Sequence, residues 1–145
     1  MSDKPVILVT RKLPDAVEAR LKSDYEAILN PDDALYSKDE LIERVKGAQG
    51  ILPCHTEKFD SDMVAQLPND VKIIANFSVG VDHCDLAAAK DKGIVVTNTP
   101  DVLSDATAEI AILLLLGAAR RAGEGETADK MGCPLYERRS RVTRM

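Results

Sequence analysis

Short β-branched runs alternate five times with stretches of helical spacing, and few folds accommodate that order. Pro5-Val6-Ile7-Leu8-Val9 reads as a first strand, followed by a helix from Pro14 to Leu21 that turns Val17 and Leu21 inward. Tyr25 to Leu29 is a second strand, closed by the turn signal Asn30-Pro31-Asp32-Asp33. Ser37 and Glu40 stand at capping-box spacing and open a second helix with Leu41, Ile42 and Val45 on its inner side. Gly50-Ile51-Leu52 is a third strand ending in Pro53-Cys54-His55-Thr56, and Asp60 to Leu67 is a helix with Met63, Val64 and Leu67 apolar. Val71 to Ala75 is a fourth strand, a short helix from Asp85 stops at Gly93, and Ile94-Val95-Val96 is a fifth strand. Ser104 is the expected N-cap of a long last helix that starts near Asp105. Repeated β-α units of this kind predict an α/β fold, a flavodoxin-like doubly wound parallel sheet of five strands.

Asn76-Phe77-Ser78-Val79-Gly80-Val81-Asp82-His83 comes directly after the fourth strand, so Ser78-Val79-Gly80 is expected as a tight turn where a buried strand reaches the surface. In an open parallel sheet, ligands bind beyond the carboxyl ends of the strands. Glycine there permits close backbone approach and leaves consecutive amide N–H groups free for an anion such as a substrate carboxylate. The plainer alternative is that Gly80 only lets the chain turn and Asp82 caps the next helix.

At 145 residues, 45% hydrophobic and 30% charged, the chain has enough apolar residues for one core and is not compositionally disordered. A net charge of −5 argues against general nucleic-acid binding. Met1-Ser2-Asp3-Lys4-Pro5 precedes only a short apolar run, so no signal peptide is expected. The longest apolar run, Ile110 to Ala119, falls short of the ~18 residues a membrane span needs. Three cysteines without framework spacing suggest reduced thiols and a cytoplasmic setting.

The last helix has almost no polar face, from Ala106 through Ala119, so something else is expected to pack against it. Beyond Arg120-Arg121 the chain turns breaker-rich and polar, ending in the basic Arg138-Arg139-Ser140-Arg141-Val142-Thr143-Arg144. That sets a division into a domain over 1–122 and a divergent tail over 123–145, expected to be disordered.

The segment 76–83, then Asp85-Leu86, Gly93-Ile94-Val95-Val96-Thr97-Asn98-Thr99-Pro100 and Asp105-Ala106-Thr107-Ala108-Glu109 resemble the D-isomer-specific 2-hydroxyacid dehydrogenases, in their glyoxylate and hydroxypyruvate reductase branch. The resemblance covers about residues 5 to 122. It implies a substrate domain facing an NAD(P)-binding Rossmann domain across a cleft. The amides of Val79 and Gly80 would hold the carboxylate of a small 2-oxo or 2-hydroxy acid, with Ser78 beside them. The loop carrying Cys54 and His55 would line the same cleft, and Thr107 would touch the NAD or NADP. The chain departs from the family where a G-x-G-x-x-G turn is due, since Gly117, Gly123, Gly125 and Gly132 do not form one. The family's catalytic Arg, Glu and His belong to that later region, and His55 and His83 match neither role nor place. The expectation is therefore a truncated substrate-binding portion, inactive alone, with no catalytic residue of its own.

Other readings are weaker. Cys54-His55 and His83-Cys84 could converge on a metal, but they lack C-x-x-C spacing. His55 or His83 could act as a general acid, but no carboxylate is evidently placed to orient either ring. A phosphoacceptor receiver fails because Thr10-Arg11, Pro53-Cys54 and Thr97-Asn98 stand where its acids and lysine belong. The remaining alternative is a non-catalytic binding or assembly module that pairs with itself or a partner through the helix over 105–121.

Overall fold

The computed structural model describes residues 4–124. The chain forms two compact units, Met1–Val102 and Leu103–Met145. The first contains β1 (Val6–Val9), α1 (Asp15–Asp24), β2 (Glu26–Ile28), α2 (Lys38–Arg44), β3 (Gly50–Leu52), α3 (Ser61–Gln66), β4 (Ile73–Ala75), α4 (Leu86–Asp91) and β5 (Val95–Thr97). The second contains α5 (Ser104–Ala119).

All strand pairs are parallel and the sheet order is β2-β1-β3-β4-β5. This is the flavodoxin-like doubly wound order expected from the alternation, with its reversal between β1 and β3. Alternation along β1 shows why both faces must be covered. Val6 and Leu8 pack with Leu41, Val45, Met63, Val64 and Ala89, whereas Ile7 and Val9 pack with Leu13, Val17 and Leu21. Successive side chains leave a strand on opposite sides, so α2, α3 and α4 cover one face and α1 the other.

The helix ends obey local chemistry. Ser37 Oγ accepts from the Glu40 amide at 3.3 Å while the Ser37 amide donates to Glu40 Oε2 at 2.8 Å, completing the capping box. Asp60 and Asp85 cap α3 and α4 by accepting from the Met63 and Ala88 amides. Gly93 ends α4 at φ +74°, with Ile94 N donating to Ala89 O and Gly93 N to Lys90 O. Those two bonds make a Schellman motif, in which the left-handed residue is best a glycine.

One expectation needs correction. Ser104 is not the N-cap of the last helix: Leu103 holds that place without a side-chain cap bond, and Ser104 is already helical. Along the apolar helix, Ile110, Ile112, Leu113, Leu114, Leu115 and Leu116 are each more than half exposed, the unpartnered face for which a covering partner is expected. The basic run over 138–144 lies outside the described residues.

Candidate functional site

Three loops gather at the carboxyl ends of the central strands: 10–14 after β1, 53–57 after β3 and 76–83 after β4. A hydrogen bond from Phe77 N to Pro53 O, 2.8 Å, joins the last two. Sheet order thus brings the Pro53-Cys54-His55-Thr56 loop beside the segment that contains Ser78, Val79 and Gly80.

The segment itself is an open bend rather than a tight turn. The hydrogen-bonded turn comes later, where Cys84 N donates to Val81 O at 2.9 Å. Gly80 does not occupy the left-handed region, unlike Gly47 and Gly93. What its missing Cβ permits is close approach of Asp82, whose Oδ1 would lie 3.1 Å from a Cβ built there. Asp82 is not the cap of the next helix, since Asp85 takes that role.

The carbonyls of the bend are engaged. Ser78 O accepts from Thr99 N at 2.9 Å, Val79 O from Asn98 Nδ2 at 2.7 Å, and Gly80 O from Ser78 Oγ at 2.8 Å. No cis peptide is present among the described residues, and in a planar trans peptide the N–H points opposite to the C=O. Ser78 O and Val79 O are both drawn toward residues 98 and 99, so the Val79 and Gly80 N–H groups both face away from that segment. Among the described residues neither amide has an acceptor. Two co-directed, unpartnered N–H groups at a strand end are a ready site for an anion. The Ser78 hydroxyl spends its proton inside the bend, which makes it a lock on the loop.

The other side chains divide by environment. Cys54 packs toward Val9, Leu13 and Leu21, and burial pushes its thiol up. His55 beside it is exposed. Burial pulls the His83 imidazole below its ordinary value, against the opposing charge of Asp82. His83 Nε2 meets Asn76 Oδ1 at 2.8 Å. Among the described residues no three His, Cys, Asp or Glu side chains are grouped to hold a metal ion. Thr107 is exposed in the first turn of α5, its amide donating to Leu103 O at 2.9 Å.

Sequence reasoning missed Arg11. Its Nε and Nη2 engage Asp33 Oδ1 and Oδ2 at 2.8 and 2.9 Å, and Nη1 donates to Thr56 Oγ1 at 3.1 Å. Thr56 Oγ1 in turn donates to the buried Glu57 at 3.0 Å. The cation beside the crevice is therefore committed to fixing loops. Its position just after β1 was the available signal, but only the strand order shows that β1 borders the crevice.

A family profile described as the catalytic domain of the D-isomer specific 2-hydroxyacid dehydrogenases matches residues 7–142. The chain belongs to that family. The chain is 46% identical over 123 residues to the glycerate dehydrogenase of Hyphomicrobium methylovorum, covering 85% of this chain and 38% of that one. It is 36% identical over 129 residues to the glyoxylate reductase of Thermococcus onnurineus, covering 89% and 38%. Among solved structures it is similar to the NADPH-dependent glyoxylate/hydroxypyruvate reductase of Sinorhizobium meliloti solved with NADP and malonate, at 32% identity and a TM-score of 0.70, covering 90% of this chain and 39% of that one. The family match runs past residue 122, the expected limit of the resemblance. The chain spans about 38% of the length of the curated relatives it matches.

The described residues contain no pyrophosphate cradle of the kind a dinucleotide needs. Every strand of the first unit belongs to the five-stranded sheet, and none runs into a G-x-G-x-x-G turn that could cradle a pyrophosphate. No helix among them is long and apolar enough to cross a membrane.

Proposed function

We propose that this chain is the substrate-binding portion of an NAD(P)-dependent 2-hydroxyacid dehydrogenase of the glyoxylate/hydroxypyruvate reductase kind. The Val79 and Gly80 amides take the carboxylate of a small 2-oxo or 2-hydroxy acid, Ser78 holds the bend, and the loop of Cys54 and His55 lines the same crevice. The observation that supports this is the pair of unpartnered amides facing one way, with the carbonyl of each one's own peptide group, Ser78 O and Val79 O, tied back to residues 99 and 98. Hydrogen bonds to a charged acceptor contribute ~1.5–3 kcal/mol each. Two of them contribute ~3–6 kcal/mol, set against the freedom lost on association, so the expected affinity is weak.

Reduction of a 2-oxo acid also needs a cation on the carbonyl and a proton donor. Arg11 is tied to Asp33 and Thr56, so the first unit contributes binding and orientation rather than turnover. Thr107 belongs to the same proposal as a contact to the dinucleotide. So does a covering partner for α5, either further polypeptide of the enzyme or a second copy. A cytoplasmic setting accords with the free thiols of Cys54 and Cys84.

The test is a two-dimensional amide NMR titration of the 145-residue chain with malonate and with glyoxylate. Saturable shifts centred on Val79 and Gly80 are expected, and no oxidation of NADH or NADPH with glyoxylate. Shifts that are absent or confined elsewhere would sink the binding assignment, and steady turnover would sink the division of labour.

A further inference from the structure

Asn76 and His83 bracket the bend, and neither is needed to contact a bound carboxylate. Asn76 is the residue between β4 and the bend and is 3% exposed. Its backbone N and its Nδ2 both donate to Thr97 O, at 2.9 and 3.0 Å, filling the two lone pairs of that carbonyl. A flipped side-chain amide would set oxygen against oxygen, so Oδ1 faces the other way. There it meets His83 Nε2 at 2.8 Å and, more weakly, Cys84 Sγ at 3.7 Å. Because Oδ1 only accepts, the His83 nitrogen facing it carries a proton. The His83 carbonyl accepts from Phe59 N at 2.8 Å, which anchors the far end of the bend to the loop after β3.

We propose that Asn76 and His83 are positioning residues that fix the span of the 78–82 bend and so hold the Val79 and Gly80 amides in one orientation. The brace links the end of β4, the end of β5 through Thr97 and the far limb of the bend. It rests on the carboxylate reading only for its consequence on ligand binding. The imidazole works through Nε2–H as a neutral donor, with burial opposing uptake of a second proton, and takes no part in proton transfer.

Three measurements on the full chain test this. In the wild type, long-range 1H–15N correlation of the His83 ring at pH 7.5 is expected to show the Nε2–H tautomer with Nδ1 unprotonated. The Nδ1–H tautomer would overturn the proposal without any variant having to fold. Without ligand, His83→Leu is expected to raise amide hydrogen exchange and nanosecond motion of residues 78–82 while leaving the strand amides unchanged, and His83→Gln, which retains a donor at the ε position, is expected to restore order. An unchanged bend in His83→Leu, or disorder equal in both variants, would overturn it. With malonate, His83→Leu is expected to weaken binding about tenfold, the effect of one buried charge-neutral hydrogen bond, with His83→Gln returning to within about threefold. Equal malonate affinity in wild type and His83→Leu would overturn it. If the wild type itself shows no malonate shifts, the carboxylate reading fails while the tautomer and exchange results still decide the brace.

Discussion

The guanidinium of Arg11 meets the carboxylate of Asp33 side-on, Nε to Oδ1 at 2.8 Å and Nη2 to Oδ2 at 2.9 Å, across the loops that come after β1 and β2. Lys12 N adds a third donor at 2.9 Å. Arg11 first, then the Lys12 amide, lowers the Asp33 carboxyl to about 2. Because the folded value is below the unfolded value of ~3.9, the stability it lends is present above pH ~4 and is lost as the pH falls toward 2. Glu18, beside Lys12, and Glu40, at the Ser37 amide, are shifted the same way. Urea midpoints measured from pH 5 to 2 are expected to fall, and to fall less steeply in Asp33→Asn. Asp33 sits at φ +51°, a conformation Asn also tolerates, so the comparison isolates charge. Parallel curves for the two proteins would show that the pair contributes nothing.

Gly50 lies in the middle of the sheet, opposite Ile7 on β1 and Ile73 on β4. A Cβ there would sit 2.7 Å from Ile7 Cδ1 and 3.0 Å from Ile73 Cγ2. Gly50→Ala is expected to destabilise by about 1–3 kcal/mol through overpacking. Adding Ile7→Val removes the nearer atom, so the double variant should lose less than the sum of the two single changes. Additive losses in chemical denaturation would rule out this contact as the cause.

Lys92 lies just past α4, yet its Nζ donates to Val64 O, Ala65 O and Leu67 O at 2.8, 2.6 and 2.6 Å. One ammonium thereby satisfies the open carbonyl end of α3 and complements its dipole. Lys92→Met keeps the apolar stem and removes the donors, and is expected to cost about 1–2 kcal/mol. Thermal unfolding of the two proteins measures it, with an unchanged midpoint as the contrary result.

The exposed apolar residues of α5, Leu115 at 70% among them, form a patch that proteins seldom leave in water. Light scattering at tens of micromolar is expected to show dimers or larger species. Leu113→Lys together with Leu116→Lys should move the distribution toward monomer. A monodisperse monomer from the unaltered chain would remove the need for a covering partner.

Strand and helix identity were legible because they depend on local periodicity. The β-branched runs at 6–9, 50–52 and 73–75 and the Ser37/Glu40 spacing became the elements they suggested. The flavodoxin-like order came from alternation and handed crossovers, both local rules. Gly80 was legible as a turn candidate because a glycine after a buried strand is visible in one dimension, whereas the expectation that the Val79 and Gly80 amides hold a carboxylate came from the family resemblance.

The geometry of that bend is set by groups distant in sequence. Asn98, nineteen positions from Val79, turns a carbonyl and thereby an amide. Arg11 takes its partners from residues 33 and 56, and Asn76 takes His83 as donor and Thr97 as acceptor. The sequence by itself determined the elements, their order and the place where the chain bends, since neighbours within one or two turns decide those. Only the tertiary structure decided which polar groups are engaged and which N–H groups remain open, because hydrogen-bond partnership depends on direction and on distances of about 3 Å between residues that the sheet order brings together.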